Sequence, residues 1–204
     1  MQAPALPFNE AERLEALRSY GPVEPVPDPD FDDLALLAAE ICDTPIALVT
    51  LVDEDHQWLK GRAGTDLTQT SREVSFCGHA ILGTDLFIVP DTSQDARFAD
   101  NPLVVADPNI RSYTGAPLIT SDGYALGTVC VIDRQPRLLT PQQSEALKSL
   151  GRRIVALFEL RRAQTDLTAG RRRAASFSSG PAHLTPDAVR NRRRAPGYVR
   201  AFLT

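Results

Sequence analysis

Little in this chain is aromatic and little carries sulfur. Only 6% of its 204 residues are Phe, Trp or Tyr, and Trp and Met occur once each. Any core must therefore be aliphatic. The three cysteines, Cys42, Cys77 and Cys130, are odd in number, widely spaced, and without a CxxC pair. That excludes a disulfide framework of the secreted kind and fits a reducing compartment. Apolar runs such as Ile46 to Val52 fall far short of the roughly 20 residues that span a bilayer, so no membrane span is expected. The start, MQAPALPFNEAERLEAL, has no basic stretch followed by an apolar one, so no secretory signal is visible and a cytoplasmic location is expected. GxxxxGK[ST], GxGxxG after a strand, GxSxG and HExxH are all missing. Without that machinery the chain reads as a binding module and not as an enzyme.

What is present is a 43% hydrophobic chain with two charge regimes. Residues 165–204 hold eight arginines against Asp166 and Asp187, a net of +6, so the −4 of the whole leaves −10 on residues 1–164. The arginine clusters carry no interleaved aromatics. They read as a solvated, low-complexity tail, expected to be disordered and without specific nucleic-acid binding.

Residues 1–7 look frayed. Asn9 and Glu12 have capping-box spacing before Leu14, Leu17 and Tyr20, and Gly21-Pro22 ends that helix. A proline-rich linker follows, and Asp30 can cap a second helix with Leu34, Leu37, Ala38 and Ile41 on one face. Ile46 to Val52 reads as a central strand and His56 to Gly64 as its hairpin partner. Residues 65–73 read as polar loop, Val74 to Leu82 as a short helix, and Leu86 to Val89 as a short strand. The stretch 91–109 is loop with one helical turn. Ile110 to Ile119 and Ala125 to Ile132 are two strands joined at Thr120-Ser121-Asp122-Gly123. Thr140-Pro141-Gln142-Gln143 starts a long helix. Its Leu147, Leu150, Ile154 and Leu157 recur at alternating steps of four and three, which suits a dimer seam or a helix lying on a sheet. The order predicts an α+β layer fold, with helices packed on one face of an antiparallel sheet. One domain is expected over 8–164.

Three constellations could carry chemistry. Ser75-Phe76-Cys77-Gly78-His79 places a thiol near an imidazole, and with Cys130 or His56 it could form a metal or redox site. On a helix, residues two apart point to different sides, and Cys130 sits in an apolar run, so packed thiols are the simpler reading. Asp91, Asp95, Arg97, Asp100 and Asn101 could bind a polar ligand, or could equally make local turn and cap bonds. Trp58 and Lys60 share one strand face, where Trp58 fills the core or lines a pocket.

Taken together, HQWLKGRAG, SREVSFCGHAI, LFIVPDTSQDARFADNPLV, IRSYTGAPL and GTVCVIDRQPRLLTPQQ resemble a bacterial subgroup of GAF domains, over roughly residues 8–162. The resemblance implies a central antiparallel sheet with a pocket roofed by the middle helix and the long loop. It also implies a sensory role upstream of kinases, cyclases or phosphatases, and dimerisation through terminal helices. Its pocket-facing positions fall on Phe76, Cys77, His79, Asp91, Arg97, Phe98, Asn101, Arg111 and Tyr113. No kinase or cyclase module follows the domain in this sequence, so a signalling partner in trans is expected. The reading is a regulatory domain that binds an unidentified small molecule or a protein partner, and forms a homodimer. The alternative is a thiol-based redox sensor or reductase using Cys77 and Cys130.

Overall fold

The structure, a computed structural model, describes residues 1–24, 26 and 28–178, with side chains to Arg171. Met1–Thr165 form one compact unit; of a second, Asp166–Thr204, the described part is helical through Ser178.

Helix α1 (Glu10–Ser19) comes first. Helix α2 (Pro29–Cys42) has its cap two residues before the expected one: Asp28 is the N-cap, its carboxylate accepting from Asp30 N at 3.2 Å, and Pro29 occupies the first turn. Proline fits there because its missing N–H would lack a partner anyway. Asp43 ends the helix in the left-handed conformation at φ 52°. The Asn9 side chain makes no cap bond, so the capping box expected at α1 does not form.

Six strands follow: β1 (Ile46–Val52), β2 (His56–Ala63), β3 (Gln69–Ser71), β4 (Phe87–Val89), β5 (Ser112–Ile119) and β6 (Ala125–Asp133). They form one sheet in the order β3-β2-β1-β6-β5-β4, and every pairing is antiparallel. Residues 65–73, expected as loop, thus contain an edge strand and the start of a 3-10 turn (Arg72–Val74). Two short helices, α3 (Phe76–Ala80) and α4 (Pro102–Val105), lie in the connections. Helix α5 (Pro141–Ser178) closes the described chain. It starts with a reciprocal cap: Gln143 N donates to Thr140 Oγ1 at 3.2 Å and Thr140 N to Gln143 Oε1 at 3.0 Å. It also continues past residue 165, where the tail was expected to begin; residues 179–204 lie outside the described residues.

The period of two along β1 divides the interior. Ala47, Val49 and Leu51 face α1, α2 and α5, joining Leu14, Leu17, Phe31, Ala35, Leu147 and Ile154 in one aliphatic core. Gly61 on β2 lets α2 sit close, since a Cβ there would run into the Phe31 backbone. Ile46, Leu48 and Val52 face the other way, with Leu59, Cys130 and Ile132, toward α3 and the 90–110 connection. Both sheet faces are therefore covered, where element order alone led us to expect one. Each fully buried aliphatic side chain contributes about 1.5–3 kcal/mol. Among the described residues no helix is long and apolar enough to cross a membrane.

The a/d stripe of α5 is a core stripe. Leu147 and Ile154 are fully buried, Leu150 nearly so, and Leu157 is partly buried against the same cluster. This corrects their assignment to a dimer seam: the sheet of the same chain already occupies that face. A narrow stripe of this spacing satisfies a flat sheet as well as a second helix.

Candidate functional site

Between the sheet and α3 lies a small cavity of about 40 Å³. Its floor is Ile46 and Leu48 of β1, Gln57 and Leu59 of β2, Tyr113 of β5 and Ile132 of β6. Its roof is Ser75, Phe76 and Cys77, and its flanks include Leu67, Thr70, Leu103 and Ile110. Ser75 caps α3, accepting from Gly78 N at 3.0 Å, and its hydroxyl hydrogen bonds Gln57 Oε1, which ties roof to floor. The lining is mainly apolar with a few polar tips, as expected of a ligand site. Thr70 Oγ1 points to no protein partner although it is buried.

Of the nine positions implied by resemblance, three line this cavity: Phe76, Cys77 and Tyr113. Phe98 stands behind them, its ring stacked on Phe76 at 4.2 Å. His79 is turned away from the cavity. Its Nε2 lies 3.0 Å from Gln2 O, and its ring meets Phe98 edge-on at 4.9 Å. Burial pushes its pKa below the ordinary histidine value. Arg97 grips Asp95 through two bonds of 2.9 and 2.6 Å and lies over the rings of Phe87 and Phe98. Asp91 accepts from Ser93 N and Oγ at 3.0 and 2.6 Å, closing a turn. Asn101 caps α4 at Leu103 N and donates to Val74 O, both within 3.0 Å. Arg111 donates to Val104 O at 2.8 Å and Ile110 O at 3.0 Å. His79, Asp91, Arg97, Asn101 and Arg111 do not line this cavity; each side chain is engaged by local groups. Trp58 packs toward the helix-side core.

Residues 1–7 were expected to fray, but the structure lays the chain start across α3. Gln2 N donates to Arg97 O at 3.0 Å, Gln2 O meets His79, and Gly78 leaves the room that Pro4 takes.

Sequence reasoning missed a buried ion cluster beside the roof. Arg13 is only 1% exposed. It grips Glu10 at 2.7 and 2.9 Å and donates to Val52 O at 2.8 Å and Ala125 O at 3.3 Å. Glu10 also accepts from Arg72 Nη1 at 2.5 Å, and Arg72 donates to Asp53 O. Burial alone would raise the Glu10 pKa, but the two guanidiniums hold it down at about 2. Arg72 Nε and Nη2 have no partner. The available signal was Arg13 itself, one turn before Leu17 on the apolar stripe.

Cys77 and Cys130 meet with sulfurs 3.9 Å apart, and both are free. The Cys77 Sγ also accepts from Thr128 Oγ1 at 3.1 Å and Tyr113 OH at 3.3 Å. Among the described residues no three His, Cys, Asp or Glu side chains converge as metal ligands.

A GAF domain model matches residues 28–157. The chain is 43% identical over 137 residues to a Pseudomonas aeruginosa protein named cyclic di-GMP phosphodiesterase, a match covering 67% of this chain and 23% of that protein. In structure it is similar to the GAF domain region of a putative membrane protein from Geobacter sulfurreducens (TM-score 0.54, 20% identity, 74% of this chain and 97% of that one). It is also similar to the GAF domain of an Acinetobacter phosphoenolpyruvate-protein phosphotransferase (TM-score 0.55, 16% identity, 76% and 96%). With its six-stranded antiparallel sheet and long closing helix, this chain belongs to the GAF domain family.

Proposed function

We propose that this chain senses a small molecule in the cavity beneath α3 and passes the result to a signalling protein through its terminal helices. The observation that carries this reading is a mainly apolar void against the sheet, lined in part by Thr70, whose buried hydroxyl has no partner. At about 40 Å³ the void holds no more than a few water-sized groups. Ligand sites for drug-sized molecules run to roughly 300–1,000 Å³. The ligand is therefore either very small, or one whose binding energy lifts α3.

The buried ion cluster supplies a route out. Arg72 opens the turn that leads into the roof, and Glu10 links it to α1 while Arg13 anchors α1 on the ends of β1 and β6. A ligand that favours one roof position shifts α1 only by its difference in affinity for the two arrangements. The relative named as a phosphodiesterase is more than four times as long as the matched region, which is consistent with this domain regulating a separate output. No catalytic role is assigned to the chain. A homodimer through α5 would use its outer side, where Leu160 is exposed, and sedimentation reads that state.

A thermal-shift screen against small metabolites tests the proposal. A ligand at 100 times its Kd adds about 2.7 kcal/mol, a rise of roughly 5–10 °C for a chain of this size. If a broad panel gives no rise, and isotope-labelled roof residues show no shift, the sensing role fails and a cavity filled by its own side chains stands instead.

A further inference from the structure

We propose that Cys77 and Cys130 form a hydroperoxide-operated dithiol switch that closes a disulfide between the roof helix α3 and the central strand β6. Three observations carry it, and none depends on which small molecule occupies the cavity. The first is proximity: the two free sulfurs are 3.9 Å apart, and a disulfide needs about 2.05 Å. The second is activation. Thr128 and Tyr113 hydroxyls both point at the Cys77 sulfur, at 3.1 and 3.3 Å, and Thr50 Oγ1 stands 3.1 Å behind Thr128. Hydroxyl donors aimed at one sulfur stabilise its thiolate. The third is access. Cys77 lines the cavity, Cys130 does not, and the void is large enough for a peroxide and too small for most metabolites.

The two thiols are not equivalent. Burial raises both, but the hydrogen bonds that Cys77 accepts outweigh it and hold that thiol below the ordinary value, while Cys130 is pushed well above. Cys77, which accepts from both hydroxyls and borders the cavity, is the attacking sulfur. Its thiolate attacks one peroxide oxygen: an S–O bond forms, the O–O bond breaks, and the departing oxygen takes a proton to leave as water or an alcohol. Cys77 is then a sulfenic acid. The Cys130 sulfur attacks the Cys77 sulfur: the S–S bond forms, the S–O bond breaks, and the hydroxide leaves as water with the Cys130 proton. Two thiols lose two electrons, and the hydroperoxide gains them. The closing bond draws α3 onto β6 and so reshapes the cavity roof. Cys42, buried in the other core where burial drives its thiol up to about 11, serves as an internal control.

The test uses the full chain, titrated with hydrogen peroxide near neutral pH beside glutathione in the same tube. The chain is then unfolded, alkylated with N-ethylmaleimide, weighed intact and mapped by peptide. The expected result is loss of two alkylatable thiols, an alkylated mass lower by two maleimide adducts and two hydrogens, and one cross-linked peptide joining 77 to 130, all reversed by dithiothreitol. Cys130→Ser is expected to stop at a Cys77 sulfenic acid that dimedone captures. Three alkylatable thiols after the glutathione is consumed would overturn the proposal, as would a disulfide to Cys42. The wild-type thiol count decides the matter even if the variant does not fold.

Discussion

The two faces of the sheet are built from different material. On the helix side, Ala47, Val49, Val129 and Val131 meet Phe31, Ala35, Leu147 and Ile154, and the cluster is nearly all aliphatic. On the α3 side, the same strands present Cys130, Thr50 and Thr128 to Cys77 and Tyr113, and a cavity remains. One face is apolar throughout, with a groove of about 170 Å³ at its β5–α5 margin, while the other buries thiols and hydroxyls around a cavity of about 40 Å³. Thiols and hydroxyls beside a void can respond to chemistry that an apolar core cannot. The comparison separates stability from sensing within a single sheet.

Removing side chains one face at a time sharpens that contrast. Leu147→Ala leaves a void in the dense core and is expected to cost about 3–4 kcal/mol in urea unfolding, without a change in oligomeric state. Glu10→Gln removes the anion between Arg13 and Arg72 and is expected to cost about 3 kcal/mol near neutral pH, since two buried guanidiniums lose their partner. Because the folded-state pKa of Glu10 lies at about 2, below the ordinary 4.5, its stabilisation is complete above about pH 4.5 and is lost as pH falls toward 2. The gap between wild type and Glu10→Gln should therefore narrow across that window in a urea series. Leu59→Ala enlarges an existing void and is expected to cost less than Leu147→Ala, about 2 kcal/mol. Thr70→Val replaces a hydroxyl that lacks a partner and is expected to be neutral or stabilising, by up to about 1 kcal/mol. If Leu59→Ala proved as costly as Leu147→Ala, the two faces would not differ in packing.

The strands were legible because β1 and β6 are short apolar runs, buried on both faces, and Thr140 to Gln143 announced the start of α5 in side-chain chemistry alone. Strand β3 was not legible: Gln69-Thr70-Ser71 is polar, and only its backbone pairing with β2 makes it a strand. The cavity was half legible. Phe76, Cys77 and Tyr113 came from resemblance, whereas Gln57 and Leu59 become visible only once the β1–β2 register is known. Asp91, Asn101 and Arg111 misled because turn-forming residues and ligand-binding residues are the same types. Their hydrogen-bond partners, which a sequence does not show, decide between the roles. The stripe on α5 misled for a related reason, since spacing gives the face of a helix but not what covers it.

The claim on which the rest depends is that the void beneath α3 receives a small molecule. Native mass spectrometry of the chain purified from its own host reads this directly, set beside a Thr70→Leu variant that fills the void. The expected result is a small-molecule adduct on the wild type that is absent from the variant. Bare protein in both samples, or an adduct that survives the filled cavity, would contradict it.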